Sequence, residues 1–464
     1  MTTKPFIIAA VGALSVMPAT AQKDITPQML QQFQNSYKSE GADKALDNAV
    51  AANDIKVLAL NNETMAQFDT EFSNKVNSKG VTNQRGSGRC WLFSGLNVLR
   101  AKMIAKYNLG AMEFSENYCF FYDQLEKSNL FLQAVIDNGK KPMDDRTVDW
   151  LFHNPLSDGG TFCGVADVVS KYGLVPSTVM PETFSSNSTG TYSMLLKTKL
   201  REYGLTLRKM IADGKSDKQV VAKKVEMLGV VYKMLVRCFG VPPQKFSYTL
   251  RNAAGKVISS KEYTPKSFYD EHIGIDLTDN YFMFMNDPSR DYYKTYEIDL
   301  DRHAYDGRNW VFLNVPMQDI KDMAISSIKD STMMYMSCDV GKCNDSKRGY
   351  SDPDVYNYGE IFGVDFPMDK KERISTFASA STHAMTLMAV DIDEQGKTKK
   401  WMVENSWGPS SGFKGHIIMT DKWLDEYLFR LVVAKKYVSA RLADMMKQKP
   451  ILLPAWDPLF QPEQ

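Results

Sequence analysis

The sequence predicts an α+β protein, and three observations carry that prediction. Leu92, Leu96, Leu99 and Met103 recur at i, i+4, i+7 and i+11, one face of a helix whose N-terminus falls at Cys90. Residues 192–238 are rich in Lys, Leu, Met and Val with mixed charge, the pattern of one or two long surface helices. Residues 243–315 change character. Aromatic and β-branched residues alternate with turn formers there, as in Phe246–Leu250 and Tyr281–Met285, which predicts strands.

The elements follow in chain order. Lys4 precedes an apolar run from Phe6 to Val16, and Ala19-Thr20-Ala21 has the small-x-small form of a cleavage site. This predicts an export signal over residues 1–21, with a mature chain from near Gln22. The run is too short to span a bilayer, and no later stretch is long and apolar enough to do so. Residues 22–65 read as a polar, helix-forming extension. Ser78 to Arg89 is turn-rich and holds three glycines. Ala384–Val390 and Lys400–Val403 read as strands, with a hairpin turn over Asp391–Gly396 between them. Residues 450–464 hold four prolines, so neither helix nor sheet is expected there.

Composition bounds the function. The chain has 464 residues, long for one compact core, and 44% of them are apolar against 24% charged. Lys and Arg number 56 against 55 acidic residues, a net charge of +1, with no dense basic stretch and so no case for nucleic-acid binding. Six cysteines are widely and irregularly spaced. An exported chain could pair some of them, and the sequence does not choose which; most are expected to be buried thiols. There is no Cys-x-x-Cys and no Cys/His cluster with zinc-ligand spacing, so neither metal nor cofactor is expected. Asp391-x-Asp393 fails as a calcium loop because Met402 stands where a Glu is required.

The chemistry concentrates at Gln84-Arg-Gly-Ser-Gly-Arg-Cys90-Trp91. A thiolate is the nucleophilic form of cysteine, and the partial positive charge at a helix N-terminus lowers a thiol pKa. Gly86 and Gly88 let the backbone bend around the site. They lack the third glycine and the Lys-Ser/Thr of a phosphate loop. The Gln84 amide, with the Cys90 N–H, could donate to an oxyanion formed when the thiolate attacks a carbonyl. A thiolate needs a base, and five histidines are available. His153 has a helix-end setting, His272 and His303 lie in charged stretches that read as surface, and His416 sits on an apolar strand. His383 opens a strand whose hairpin partner ends in Glu404-Asn405-Ser406-Trp407-Gly408. Asn405 can orient the imidazole, and Trp407 can shield that bond from water.

At these residues the sequence resembles the papain superfamily and, within it, the bleomycin hydrolase / aminopeptidase C family. The resemblance runs from about residue 30 to the end. It is carried by Val81-Thr-Asn-Gln-Arg-Gly-Ser-Gly-Arg-Cys-Trp-Leu-Phe93, Phe114-Ser-Glu-Asn-Tyr118, Phe121-Tyr-Asp-Gln-Leu-Glu-Lys127, Asp158-Gly-Gly160, Thr382-His-Ala-Met385 and Glu404-Asn-Ser-Trp-Gly408. It implies a papain-like two-lobed core: a helical lobe over 66–190 with the nucleophile, an inserted helical and strand-rich region over 191–320, and a β-rich lobe over 321–449 with His383 and Asn405. The 293 positions between Cys90 and His383 exceed the roughly 130–150 of plain papain-type enzymes, as an insertion requires. Ser94-Gly95 departs from the alanine-rich pair usual in the family.

The same resemblance implies a cysteine aminopeptidase of broad specificity acting on peptides, with Cys90, His383, Asn405 and Gln84 catalytic. It implies that Gly159 and Gly160 pair by backbone with the peptide, and that the protein is a homohexamer in the cytoplasm, the family-based alternative to the periplasmic or secreted location that residues 1–21 predict. It also implies that residues 450–464 form an arm in the active-site cleft. Trp456 would root the arm, and the Gln464 carboxylate would pair with a substrate's α-ammonium. The alternative reading is a catalytically weak peptide- or nucleic-acid-binding relative of the same fold.

Overall fold

The N-terminal extension is built of short capped helices. Thr26 caps Pro27–Ser36, whose first residue is a proline, and Asp54 and Asn61 cap the single turns Ile55–Leu58 and Asn62–Met65. Neither Pro27–Ser36 nor Ala42–Ala52 buries a residue, in keeping with the polar sequence. This computed structural model describes residues 24–309 and 311–457. The export signal expected over residues 1–21 lies outside the described residues, as do Pro458 to Gln464.

The helix Cys90–Tyr107 is buried continuously from Cys90 to Ala101, so it runs through the core rather than along its edge. It ends where Asn108 turns left-handed at φ 47°. The helices Glu116–Asp137 and Phe162–Tyr172 pack beside it. Gly95 makes one of these approaches possible, since a Cβ there would lie 2.5 Å from Cγ2 of Val165. The Lys- and Leu-rich stretch forms two helices, Gly190–Ala212 and Asp217–Phe239. The second opens on a Ser216/Gln219 capping box. It buries Val220, Met227, Val231, Leu235 and Phe239 along one face against Glu116–Asp137.

Phe246–Arg251 and Val257–Tyr263 form a separate antiparallel hairpin. Among the described residues the other strands make one mixed sheet of twelve. Its middle runs Tyr281–Met285, Leu428–Ala434, Met334–Cys338, His383–Ile392, Thr398–Glu404, His416–Thr420. His383–Ile392 is buried from His383 to Val390 and pairs with neighbours on both sides, which holds its first residue rigidly. Its hairpin turn is tighter than expected. Asp391 and Ile392 remain in the strand, and Asp393 accepts from the N–H groups of Gln395 and Lys397.

Two expectations are corrected. Ile451–Leu453 is a strand, parallel to Thr295–Ile298, despite the prolines of that segment. Pro450 and Pro454 flank it without entering it, and as an edge strand it needs partners on one side only. His272 and His303 are not surface residues: they are 2% and 4% exposed. Charged neighbours in sequence concealed partners that come from distant segments.

Candidate active site

The backbone leading into Cys90 is held at every step. Arg85 is left-handed at φ 55°, and its N–H donates to Oδ1 of Asn83 at 2.9 Å. Gly86 donates to the carbonyl of Asn187, and Gly88 to Oδ2 of Asp158 at 2.8 Å. A Cβ on Gly88 would fall 2.8 Å from that carboxylate, so the glycine is required by close approach as well as by the bend. Arg89 is fully buried, bidentate on Glu182 at 2.8 and 3.0 Å, and lies over the rings of Phe93 and Phe120. Cys90 begins the helix immediately after this anchor, in the positive field of its N-terminus.

The second half of the site comes from the sheet. His383 Nε2 meets Asn405 Oδ1 at 2.8 Å, and the Trp407 ring lies 4.8 Å from the imidazole, centroid to centroid. Asn405 Oδ1 also accepts from the Ser406 N–H, which fixes the amide with its oxygen toward the histidine. An oxygen acceptor sets the proton on Nε2 and leaves Nδ1 the basic nitrogen. The two halves are tied together. Thr386 donates to the carbonyl of Ser94 at 3.2 Å, and Arg100 of the Cys90 helix forms a buried ion pair with Glu404, next to Asn405. Burial raises the pKa of Glu404, and Arg100 opposes that rise.

Gln84 is brought to the same place. Its N–H donates to the Ser406 carbonyl, its Oε1 accepts from Ser406 Oγ at 2.6 Å, and its Nε2 donates to the Ser87 carbonyl at 2.6 Å. An amide nitrogen carries two protons, so one donor of Gln84 is engaged within its own loop and the second is the one an oxyanion would need.

Gly159 and Gly160 lie on the other flank, tied in by Trp91 Nε1 donating to the Asp158 carbonyl at 2.9 Å. Both are buried, and the Gly159 carbonyl accepts from Lys127. The space beside Gly160 is filled by the protein itself: a Cβ there would lie 2.3 Å from Cε1 of His303 and 2.9 Å from Cδ2 of Trp91. A cavity of about 420 Å³ is lined by both glycines, Lys127, His303, Leu156 and Trp456. A second, of about 430 Å³, is lined by Asp339 to Lys342, Thr382, His383 and Trp407. Ala455 and Trp456 border the first cavity. Asp457 accepts two bonds from Arg290 at 2.7 and 2.8 Å, and Arg146 lies over the Trp456 ring. Gln464 lies outside the described residues.

Sequence reasoning missed Arg89, Glu182, Ser406 and Asp158 as supports of the site. Arg89, Asp158 and Ser406 lie inside motifs that carry the family resemblance, as does Glu182 in Val179-Met-Pro-Glu-Thr-Phe-Ser185, but nothing local pointed to their roles: the partner of Glu182 is 93 positions away.

The Peptidase C1-like family matches residues 24–460. Aminopeptidase C of Lactobacillus delbrueckii subsp. lactis is 34% identical over 442 residues, which is 94% of this chain and 98% of that protein. Bleomycin hydrolase of Homo sapiens is 36% identical over 423 residues, 89% of this chain and 93% of that protein. The crystal structure of PepW from Lactobacillus rhamnosis is 36% identical. It superposes with a TM-score of 0.91 over 94% of this chain and 99% of that one.

Proposed function

The chain belongs to the Peptidase C1-like family, with its papain-like α+β fold, and from that premise we propose that it is a cysteine aminopeptidase using Cys90, His383 and Asn405. The observation that carries this reading is the His383–Asn405 bond of 2.8 Å beneath Trp407, in a chain whose relatives are named aminopeptidases and bleomycin hydrolases. Asn405 holds the imidazole with Nδ1 as its basic nitrogen. The thiol proton passes to that nitrogen, and the thiolate adds to the scissile carbonyl. The oxyanion takes donors from Gln84 and the Cys90 N–H. His383 then protonates the leaving amine as the C–N bond breaks, and water hydrolyses the acyl-thioester.

Gly159 and Gly160 form the edge that faces the bound peptide. The arm supplies the exopeptidase restriction. This reading is supported by the anchoring of residues 456 and 457 through Arg146–Trp456 and Arg290–Asp457, and by Trp456 lining the first cavity together with Gly159 and Gly160. The arm's terminal carboxylate at Gln464 pairs with a free α-ammonium. The test compares aminoacyl amides with free and N-acetylated termini. The full chain should cleave only the free form, and a chain lacking residues 458–464 should also cleave acetylated and internal bonds. The same preference in both chains would remove the arm from the account.

Assembly and location follow the resemblance and the N-terminal sequence. A homohexamer fits the exposed Met194, Leu195, Leu205, Val221 and Val225 on the two long helices; light scattering at the mass of a single chain would contradict it. Export follows from residues 1–21, and mass spectrometry of the native protein should find an N-terminus near Gln22. An intact Met1 would favour the cytoplasm. Among the described residues no helix is long and apolar enough to cross a membrane.

A further inference from the structure

Beneath the Gly159–Gly160 edge lies a buried polar cluster that the reaction does not use. His303 Nδ1 meets Asp123 Oδ1 at 2.5 Å, and the other carboxylate oxygen pairs with Lys127 Nζ at 3.0 Å and accepts from Gln124 at 2.9 Å. Asp123 is wholly buried. Burial alone would raise its pKa, but Lys127 and His303 hold the carboxyl below its usual value, so it is ionised and only accepts. Burial likewise pushes the His303 imidazole down. The ring donates from Nδ1 to the Asp123 carboxylate, which only accepts, and the bond fixes its orientation.

The cluster is aimed at the glycine edge. Lys127 Nζ donates to the carbonyls of Ser157 at 3.0 Å and Gly159 at 2.7 Å, and lies over the Trp91 ring. The His303 ring meets Trp91 edge-on at 4.8 Å. It fills the places that side chains would take at two glycines: a Cβ on Gly160 would lie 2.3 Å from Cε1, and one on Gly164 2.1 Å from Nδ1. The His303 backbone is pinned by its N–H donating to Asp167 at 3.1 Å. A histidine from beyond the long inserted helices thus wedges the edge from below.

We propose that the Asp123–His303–Lys127 cluster is a positioning device that sets the Gly159–Gly160 edge at the height required to pair with the peptide backbone. The proposal rests on the reading of that edge as substrate-binding. The cluster acts on substrate binding, because its contacts reach the Gly159 carbonyl, the space beside Gly160 and the Trp91 ring. An edge held in this way pairs without first being ordered, so losing the wedge weakens binding more than chemistry.

The test measures KM and kcat on an aminoacyl amide with a free terminus, and the rate at which iodoacetamide labels Cys90 as followed by peptide mapping. His303→Ala should raise KM by about tenfold or more with kcat within about threefold and Cys90 labelling unchanged. His303→Asn, whose amide nitrogen can still donate to Asp123, should recover most of the loss. Lys127→Gln, at a partly exposed position that the fold tolerates better, should raise KM in the same way. Unchanged KM in His303→Ala or Lys127→Gln would overturn the proposal. So would KM, kcat and labelling all deteriorating together, which marks general damage, or an Asn variant no better than Ala. These failures strike the cluster alone when the unaltered enzyme is active. An inactive unaltered enzyme, or a Cys90→Ala variant that still turns over, would overturn the proposed function and this inference together.

Discussion

Ser406 Oγ donates to Oε1 of Gln84 at 2.6 Å, joining the residue after Asn405 to the residue six positions before Cys90. The bond orients the amide. Its oxygen is occupied by the hydroxyl proton, and its nitrogen is turned toward the Ser87 carbonyl and the site. Ser406→Ala would free the amide to rotate and place an oxygen where a donor is needed. Losing one oxyanion donor outright costs about 10²–10³ in kcat, so losing only its orientation should cost about tenfold, with KM little changed. Steady-state kinetics on a free aminoacyl amide checks this, and an unaltered kcat would detach Ser406 from catalysis.

Gly95 is a case where two effects of known size compete. Alanine is the better helix former by about 0.8–1.0 kcal/mol. Its Cβ, however, would meet Val165 at 2.5 Å, inside a core in which both residues are buried, and overpacking of that kind costs about 1–3 kcal/mol. The clash is with a short branched side chain that has little freedom to move, so the packing cost outweighs the propensity gain and Gly95→Ala should destabilise by up to about 2 kcal/mol. Adding Val165→Ala should remove that penalty. Urea denaturation of the two single variants and the double variant gives the coupling; additive effects would contradict the close approach.

Much of the candidate site's geometry was legible because its parts are local. The cysteine, its glycines and the helix that follows lie within one short stretch. His383 and Asn405 are recognisable because a hairpin brings strand ends together. What stayed hidden depends on distant partners. His303 sits between Arg302 and residues such as Tyr305 and Asp306 that read as surface, and the partner of its ring, Asp123, lies 180 positions earlier. Ile451–Leu453 was hidden by its prolines, since nothing local announces that Thr295–Ile298 offers an open edge. Ser94-Gly95 read as a minor departure from the family pattern, and it is Val165 that makes the glycine necessary.

Stability should depend on pH through Glu116. This buried carboxyl has its pKa raised to about 8, by burial first and then by Glu182 and Glu113. The native state keeps a proton that the unfolded chain releases above the usual 4.5. Between those values the native state binds more protons, so stability falls as pH rises. The contribution is fully present below the unfolded pKa and is lost as pH climbs through the folded one. Glu116→Gln removes the titration and should flatten this segment of the curve, matching the parent at pH 5 and exceeding it at pH 8, by an amount of the order of a few kcal/mol. Denaturation midpoints at both pH values check it; parallel curves would place the titration elsewhere.

The central claim is that Cys90 is the nucleophile of an aminopeptidase. The direct measurement is turnover of an aminoacyl amide by the parent and by Cys90→Ala, with far-UV circular dichroism to verify that both are folded. Alanine is a good helix former at that position, so the fold should be kept. The parent should release amine and Cys90→Ala should release none above the uncatalysed background. Turnover retained in a folded Cys90→Ala variant would contradict the account.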